Sequence, residues 1–249
     1  MIARRASEAA PASGTHKGVL GTLALCIALA STVPVMAEVD PWEGANRKIY
    51  GFNDRLDRWV LKPVARGYDR VVPSFVKRGV RNFFTNIGEP IVAVNQLLQG
   101  KPGKAAEDTG RFLLNSTVGI FGLVDVAAAN GLPPHDEDFG QTFVVWGVPN
   151  GRFITIPFRG PATVTHAGGM VLDLLTNPFQ FISPARSRYF ARGVDLIDAR
   201  AGLLPTESLI TGDRYLFLRD AYLQNREFLI NDGVVEDDPF LDEFDEDYE

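Results

Sequence analysis

The chain has 249 residues, of which 45% are hydrophobic and 22% are charged. This composition is typical of a globular protein and excludes disordered and collagen-like classes. The formal net charge of −6 disfavours a generic nucleic-acid binder, because such proteins carry a basic excess. A single cysteine excludes an internal disulfide, and the three histidines lack the spacing of a zinc site. We therefore expect no metal, no cofactor and no nucleic acid.

The N-terminus has the pattern of a secretory signal. Basic residues Arg4, Arg5 and Lys17 precede an apolar run over 19–36, and small residues precede a cleavage position after Ala37. We predict that residues 1–37 are a signal peptide. The alternative is a single membrane anchor, since residues 19–37 are about long enough to span a bilayer.

Cys26 lies inside this apolar run and is a doubtful lipidation site. A bacterial lipoprotein signal needs a small residue directly before the cysteine, and here that residue is the bulky Leu25. An unused cysteine in a discarded segment is the favoured interpretation.

The C-terminal segment 236–249 carries nine acidic residues and no basic one. Such a run repels itself, so we predict a disordered acidic tail. A docking tail for a basic partner is the alternative, and the absence of a calcium-loop motif disfavours calcium. The body over 38–235 is then close to neutral, which suits the surface of a membrane with anionic lipids.

The body consists mostly of helical patterns separated by Gly and Pro. Asp40 is predicted to cap the first helix, with Pro41 in the first turn and Glu43 completing a capping box. Apolar residues then recur in steps of three and four, and Lys62-Pro63 interrupts or kinks the helix. The apolar positions are Ala45, Ile49, Phe52, Leu56 and Trp59.

Further helices are predicted from Pro73 to about Gly88, from Pro90 to Gln99 and from Lys104 to Ser116. The Gly- and Ala-rich segment 117–134 favours close backbone packing. Residues 152–158 form the best strand pattern, and Gly160-Pro161 is predicted to turn the chain. Helices are then expected over 162–176 and 215–231. The apolar loops indicate either an exposed lipid-facing surface or loops packed in the core.

Catalytic motifs are absent from the sequence. It lacks a nucleophile elbow, a phosphate-binding loop and a dinucleotide-binding turn. Ser74 and Lys77 match S-x-x-K only in spacing, without its partner motifs. His135 is predicted to lie in a polar loop with the acidic residues 136–138, and His166 is predicted to cap or to pack. We therefore predict a protein that is not an enzyme.

Many distinctive segments occur in one order from Asp40 to about Pro178, including DPWEGANR at 40–47, FND at 52–54, NFFTNIGEP at 82–90, NSTVG at 115–119, EDFGQT at 137–142 and WGV at 146–148. Together they resemble the MlaA (VacJ) family, an outer-membrane component of the bacterial system that maintains lipid asymmetry. The family-motif residues are Asp40, Pro41, Asn46, Phe52, Asn53, Gly88, Glu89, Pro90, Asn115, Phe139, Gly140, Gln141, Trp146 and Gly147.

The resemblance implies a mainly α fold: a ring-shaped bundle of amphipathic helices over 38–235 with a central channel and at most a short strand-like hairpin. It implies a non-enzymatic transporter, exported by its signal, that removes mislocalised phospholipids from the outer leaflet of the outer membrane. Its implied partners are phospholipids, the outer membrane, a trimeric porin and a soluble periplasmic lipid carrier.

By the same resemblance, Asn82, Phe83 and Phe84 help to set the open or closed state of the channel, and Phe158, Gly160 and Pro161 belong to a hairpin able to close it. Ordinary core packing and a plain turn are the alternatives. The chain departs from the family after Gly160-Pro161, where the usual Arg-Asp is replaced by Thr165-His166, and in lacking a convincing acylation cysteine.

Three rival functions stay open at this point. They are a soluble periplasmic lipid carrier, an outer-membrane phospholipase, which no nucleophile supports, and a passive porin-associated protein.

Overall fold

The computed structural model describes residues 40–234. The predicted signal peptide, the acidic tail and Cys26 lie outside the described residues. Among residues 40–234, no helix combines the length and the apolar character needed to cross a membrane.

The described chain begins with a helical rod built from three consecutive pieces. Helix α1 (Glu43–Leu56) runs into a π-helical segment (Asp57–Leu61), which runs into α2 (Lys62–Val71). The predicted interruption at Lys62-Pro63 is therefore a local widening of the helix directly before Pro63. This is a known accommodation for a residue that lacks a backbone donor.

The predicted capping box at the start of α1 is wrong. The cap position is Trp42, and no side chain caps the helix. Glu43 instead accepts a hydrogen bond from Arg47 Nε at 2.6 Å, and the buried Asp40 carboxylate accepts one from Asn46 Nδ2 at 2.7 Å. The Asp40 carboxylate thus pairs with the Asn46 side chain and does not cap the helix.

The predicted helix end at Gly88 and helix start at Pro90 are also wrong. A single helix, α3 (Ser74–Leu98), runs through both positions. A proline inside a helix costs about 3 kcal/mol, because it removes one hydrogen bond and crowds the preceding turn. Packing of α3 along α4 (Pro102–Thr117) on both sides of Pro90 offsets that cost.

Residues 118–152 hold two short helices, α5 (Val126–Ala129) and α6 (Phe139–Val145). Each begins at an aspartate. The Asp125 side chain accepts the Ala128 N–H, and the Asp138 side chain accepts the Gln141 N–H. These caps explain why such short helices form in a Gly-rich region.

The strand pattern forms one strand of a hairpin. Strands β1 (Phe153–Ile156) and β2 (Gly160–Thr163) are antiparallel, with Phe153 opposite Thr163 and Ile156 opposite Gly160. The turn therefore spans 157–159, and the prediction of a turn at Gly160-Pro161 is wrong. Gly160 instead opens β2 at φ +105°, a conformation that side chains disfavour.

The C-terminal third is helical, as predicted. It contains α7 (Val164–Thr176), α8 (Ala185–Gly202) and α9 (Arg214–Ile230), with 3₁₀ turns at Pro178–Phe181 and Pro205–Leu209. Helix α7 begins two residues later than predicted, because 162 and 163 belong to β2. Helix α8 packs on α2 and α3, α6 packs on α7, and α9 contacts α6 and β2. The predicted class, mainly α with a short hairpin, is confirmed.

The distribution of polarity is inverted relative to an ordinary globular domain. Polar and charged residues outnumber apolar ones among the buried positions, and most of the buried apolar residues are alanines. Large apolar side chains lie outside instead: Trp59, Phe121 and Phe181 are 81%, 76% and 82% exposed. A soluble monomer rarely exposes so many large apolar residues. The loop at 118–124 is therefore exposed and not packed in the core, since its large side chains are exposed.

Candidate functional site

Asn53 of α1 holds the hairpin turn. Its Nδ2 donates to the Ile156 carbonyl at 2.9 Å, and its Oδ1 accepts the Phe158 N–H at 2.8 Å. The neighbouring Phe52 ring contacts the Phe158 ring edge-on, with 5.1 Å between centroids. The family-motif pair 52–53 therefore fixes the turn through one apolar and two polar contacts.

Asn46, two helical turns before Asn53, holds the strand β1 in the same manner. Its Oδ1 accepts the Thr155 N–H at 2.8 Å, and its Nδ2 donates to the Phe153 carbonyl at 3.3 Å and to Asp40. Asp40 also accepts the hydroxyl of Tyr215 on α9. These contacts join α1, β1 and α9. They explain why the first polar residues of the family motif, Asp40 and Asn46, are buried.

The predicted gating residues of the hairpin lie at its tip. Phe158 is 72% exposed and takes the left-handed φ of +64°. Gly160 and Pro161 line a cleft of about 340 Å³, bounded by α1, the end of α8 and α9. The lining of this cleft is mostly apolar and includes Leu203 and Phe217.

The predicted gating residues of α3 lie in a different place. The Asn82 amide donates to the Leu123 carbonyl at 3.2 Å, which ties α3 to the exposed loop at 118–124. Phe83 packs edge-on to Phe84, and Phe84 stacks on Phe179 with 5.5 Å between centroids. Phe84 and Phe179 line a second cavity of about 340 Å³, which we call the α3–α8 pocket. Phe84 of the first group and Gly160 and Pro161 of the second thus border two separate cavities.

A buried ion cluster joins α3, α4 and the loop that precedes α5. Arg111 and Glu89, each 1% exposed, are joined by a 2.9 Å contact between Nε and Oε1. Arg111 Nη2 also reaches Asp125 at 3.2 Å, and Asn115 donates to the same carboxylate at 3.0 Å. Burial alone would lower the pKa of Arg111, but the hydrogen bonds and charges of Glu89 and Asp125 raise it overall. These motif residues therefore hold the scaffold together.

The family-motif residues 139–141 lie where α6 and α7 cross at close range. A Cβ at Gly169 of α7 would lie 2.2 Å from the backbone nitrogen of Gly140 in α6, so both positions require glycine. Asp173 of α7 accepts the Phe139 N–H at 3.2 Å, and the Gln141 amide donates to the Asp136 carbonyl at 2.8 Å.

The remaining motif residues shape the ends of elements. Trp146 Nε1 donates to the Leu98 carbonyl at 2.9 Å, which joins the end of α6 to the end of α3. Gly147 follows with φ +91°. Pro41 precedes α1, while Gly88 and Pro90 lie inside α3. These residues are structural.

The sequence did not reveal a buried polar network between α6, α7 and α9. Arg226 forms a bidentate pair with Asp138, with 2.8 Å between Nη2 and Oδ1. His166 Nδ1 lies 2.6 Å from the Tyr222 hydroxyl, and the two rings stack. Burial and the positive charge of Arg226 together lower the pKa of His166 to about 4. Burial raises the pKa of Asp173 to about 6. His166 is therefore a packed, neutral histidine, as predicted.

The other candidates for chemistry are not assembled into a reactive site. His135 Nδ1 lies 2.6 Å from a carboxylate oxygen of the buried Asp108 and does not pair with its sequence neighbours at 136–138. The polar surroundings of His135 therefore include Asp108, which the prediction did not name. Lys77 pairs with Asp69 at 2.5 Å rather than with Ser74. Among residues 40–234, no group of three or more His, Cys, Asp or Glu side chains is arranged to hold a metal ion.

Comparisons with known proteins agree with this description. The profile of the family described as MlaA lipoprotein matches residues 38–229. Intermembrane phospholipid transport system lipoprotein MlaA of Escherichia coli (strain K12) is 34% identical over 224 residues, or 87% of this chain and 88% of that protein. The protein of the same name in Haemophilus influenzae is 34% identical over 234 residues, or 88% of this chain and 92% of that protein.

A solved structure also matches, described as the structural basis for maintenance of bacterial outer membrane lipid asymmetry. It is 33% identical, covers 77% of this chain and 98% of the matched chain, and superposes with a TM-score of 0.69. Profile, sequence and fold agree over most of the chain, so the chain belongs to the MlaA lipoprotein family.

Proposed function

We propose that this protein is a non-enzymatic component of an intermembrane phospholipid transport system. It removes mislocalised phospholipids from the outer leaflet of the bacterial outer membrane and so maintains lipid asymmetry. The names of the two relatives and the description of the matched structure support this proposal.

The observation that carries the proposal is the inverted distribution of polarity. A phospholipid has a charged headgroup and two apolar tails, so its passage needs polar surroundings for one part and apolar surroundings for the other. The large exposed apolar side chains suit contact with the lipid tails, and the interior of the fold is polar and not an apolar core.

We further propose that the helices enclose a central channel in the inner leaflet. Its state is set by Asn82, Phe83 and Phe84 on α3 and by Phe158, Gly160 and Pro161 on the hairpin. The contact of Asn53 with the hairpin turn supports a hairpin held in one position by α1. The sequence lacks a nucleotide-binding motif, so the energy for directed transport comes from another component.

Two protein partners complete this proposal. A trimeric porin would hold the protein in the outer membrane, and a soluble periplasmic carrier would accept the extracted lipid. The exposed apolar surface suits contact with the porin. The near-neutral body does not repel an anionic lipid that moves towards the carrier.

Deletion of the gene in its host tests the function. We expect more phospholipid in the outer leaflet, measured by its accessibility to an outer-leaflet lipase, and restoration by the wild-type gene. Unchanged outer-leaflet phospholipid would instead identify a passive porin-associated protein.

Fractionation tests the location and the anchor. We expect release from membranes by detergent but not by carbonate, whereas release by carbonate would identify a soluble carrier. Mass measurement of the mature N-terminus separates a start at Glu38 from a diacylated Cys26.

A further inference from the structure

The α3–α8 pocket combines charged and aromatic walls. It lies between α3, α8 and the 3₁₀ turn at Pro178–Phe181, and it has a volume of about 340 Å³. Its lining includes two arginines, two aspartates and two phenylalanines: Arg81, Arg192, Asp195, Asp198, Phe84 and Phe179. The charges balance in number, so the pocket has no net charge.

One of the two charge pairs is already satisfied within the protein. The buried Asp198 accepts the Tyr68 hydroxyl at 2.9 Å on Oδ1, and Arg81 Nε lies 3.4 Å from its Oδ2. This pair joins α2, α3 and α8 and forms the floor of the pocket. Its charges have protein partners and need no ligand.

The second pair has no such partners. Arg192 and Asp195 lie three residues apart on α8, so their side chains project from neighbouring positions on one face. Among residues 40–234, neither side chain forms an ion pair or a hydrogen bond, and each is half-buried. Burial raises the pKa of Asp195 and lowers the pKa of Arg192, and the attraction between the two charges offsets this only in part, so the pocket disfavours both charges without a ligand. Half-buried charges without partners are costly unless a ligand neutralises them.

The aromatic wall fixes one of these charges in place. The Arg192 guanidinium carbon lies 4.5 Å above the centre of the buried Phe179 ring, and Phe179 stacks on Phe84. The cation–π contact orients the guanidinium while leaving its N–H donors free. Asn177 also lines the pocket, and its Oδ1 caps the 3₁₀ turn by accepting the Phe179 N–H.

We infer that the α3–α8 pocket binds the headgroup of a zwitterionic phospholipid, with the phosphate on Arg192 and the ammonium group on Asp195. The inference rests on the proposed function, because it names the lipid class that the transporter selects. Guanidinium groups bind phosphate oxygens through paired N–H donors, and a carboxylate accepts the hydrogen bonds of an ammonium group. A short two-carbon link separates the phosphate and the ammonium of an ethanolamine headgroup, which suits two side chains one helical turn apart.

Two other ligands share only part of this chemistry. A phosphatidylglycerol headgroup supplies the phosphate but leaves Asp195 without a partner. Inorganic phosphate supplies no cation and nothing for the aromatic wall. Binding of phosphatidylethanolamine, phosphatidylglycerol and inorganic phosphate, compared side by side, distinguishes a zwitterionic headgroup site from a general phosphate site.

Native mass spectrometry of the purified full-length protein in detergent provides the test. Phosphatidylethanolamine and phosphatidylglycerol are supplied at equal concentration, with and without inorganic phosphate. We expect the wild type to prefer phosphatidylethanolamine. In Asp195→Asn, the ratio of bound phosphatidylethanolamine to bound phosphatidylglycerol should fall about tenfold, towards equality. This change corresponds to the loss of one charged hydrogen bond. Arg192→Gln should weaken both lipids about equally.

Two matched controls leave the pocket intact. Arg186→Gln removes an exposed arginine from the same helix, and Glu227→Gln removes an exposed carboxylate from α9. Both should bind like the wild type. Asp195 has no hydrogen bond to lose, so Asp195→Asn should keep the helix content measured by circular dichroism. If Arg192→Gln does not fold, Asp195→Asn alone tests the headgroup site.

The outcomes distinguish the two proposals. A lipid ratio that Asp195→Asn leaves unchanged would overturn the headgroup site while phospholipid binding itself stands. Displacement of phosphatidylethanolamine by inorganic phosphate would also overturn it, in favour of a phosphate site. A wild-type protein that binds neither lipid would overturn the proposed function as well.

Discussion

Asparagine side chains take the role of backbone groups at three points in this protein. A side-chain amide offers N–H donors and a carbonyl acceptor, like a peptide group, and so it can pair with a strand, a turn or a helix end. Asn46 and Asn53 pair with β1 and its turn, and Asn115 accepts the Ala127 N–H at 2.9 Å at the start of α5. Segments with few regular backbone partners are thus held by specific side chains.

Asn53→Ala should release the hairpin turn from α1. Two hydrogen bonds are lost and the Phe158 N–H is left unpaired, so we expect the free energy of unfolding to fall by about 1–3 kcal/mol. Hydrogen exchange at the Phe158 amide should accelerate more than at the amides of α4. Asn225→Ala removes an exposed asparagine whose side chain forms no hydrogen bond within residues 40–234, and it is the control. Equal stability of the two variants would contradict this role.

His166 should make stability depend on pH between about 4 and 6.5. Its pKa is lowered to about 4 in the folded protein, so the unfolded chain binds the proton more readily and stability falls as pH decreases through this window. The contribution is at most about 1.4 kcal/mol per pH unit. His166→Gln keeps an acceptor for the Tyr222 hydroxyl but does not titrate there. Urea unfolding at pH 4.5 and 7 should show a smaller difference in the variant, and an identical difference would exclude His166 as the source.

At the scale of elements, α3 packs against α4, α8, α6 and the 3₁₀ turn at Pro178–Phe181. It passes through Pro90 without ending. The buried pair of Glu89 and Arg111 lies directly beside this proline. Tertiary contacts therefore keep α3 continuous where its local sequence favours a break.

Arg111→Met should separate α3 from α4. The change leaves Glu89 buried without its partner, and breaking such a buried pair costs about 3–5 kcal/mol. Thermal unfolding should show a large loss of stability, while Glu89→Met combined with Arg111→Met should recover much of it. Arg58→Met breaks a pair whose arginine is 60% exposed and should cost about 0–1 kcal/mol. An equal loss in Arg58→Met and Arg111→Met would show that burial does not matter here.

The sequence predicts elements well where the signal is local. Apolar periodicity locates α1 and α9, helix-boundary residues locate α4, and the strand pattern locates β1. The predictions at Asp40 and Pro90 failed because contacts outside the local segment decide them: Asp40 contacts Tyr215 of α9, and α3 packs along the next helix, α4. Arg192 and Asp195 carry no motif, and only the folded position of α8 beside Phe179 brings them into a pocket.

At the scale of the molecule, the inverted polarity changes which contributions to the free energy of folding dominate, compared with a soluble domain. Buried polar networks give specificity but less favourable transfer energy than an apolar core. The large exposed side chains become favourable only when the protein meets lipid. Membrane association therefore contributes to the stability of the fold as well as to its location.

Phe121→Asp combined with Phe181→Asp should weaken membrane binding without unfolding the protein. Both side chains are largely exposed, so little packing is lost. Transfer of each phenylalanine into an apolar phase is worth about 1.5–3 kcal/mol, so we expect binding to liposomes to weaken about 100-fold or more. Flotation of proteins that also carry Cys26→Ala, which removes a possible acyl anchor, measures the effect. Gln224→Asp adds a charge at an exposed polar position and should float like its parent. If the double variant floats equally well, the exposed aromatic residues do not contact lipid and the membrane surface lies elsewhere.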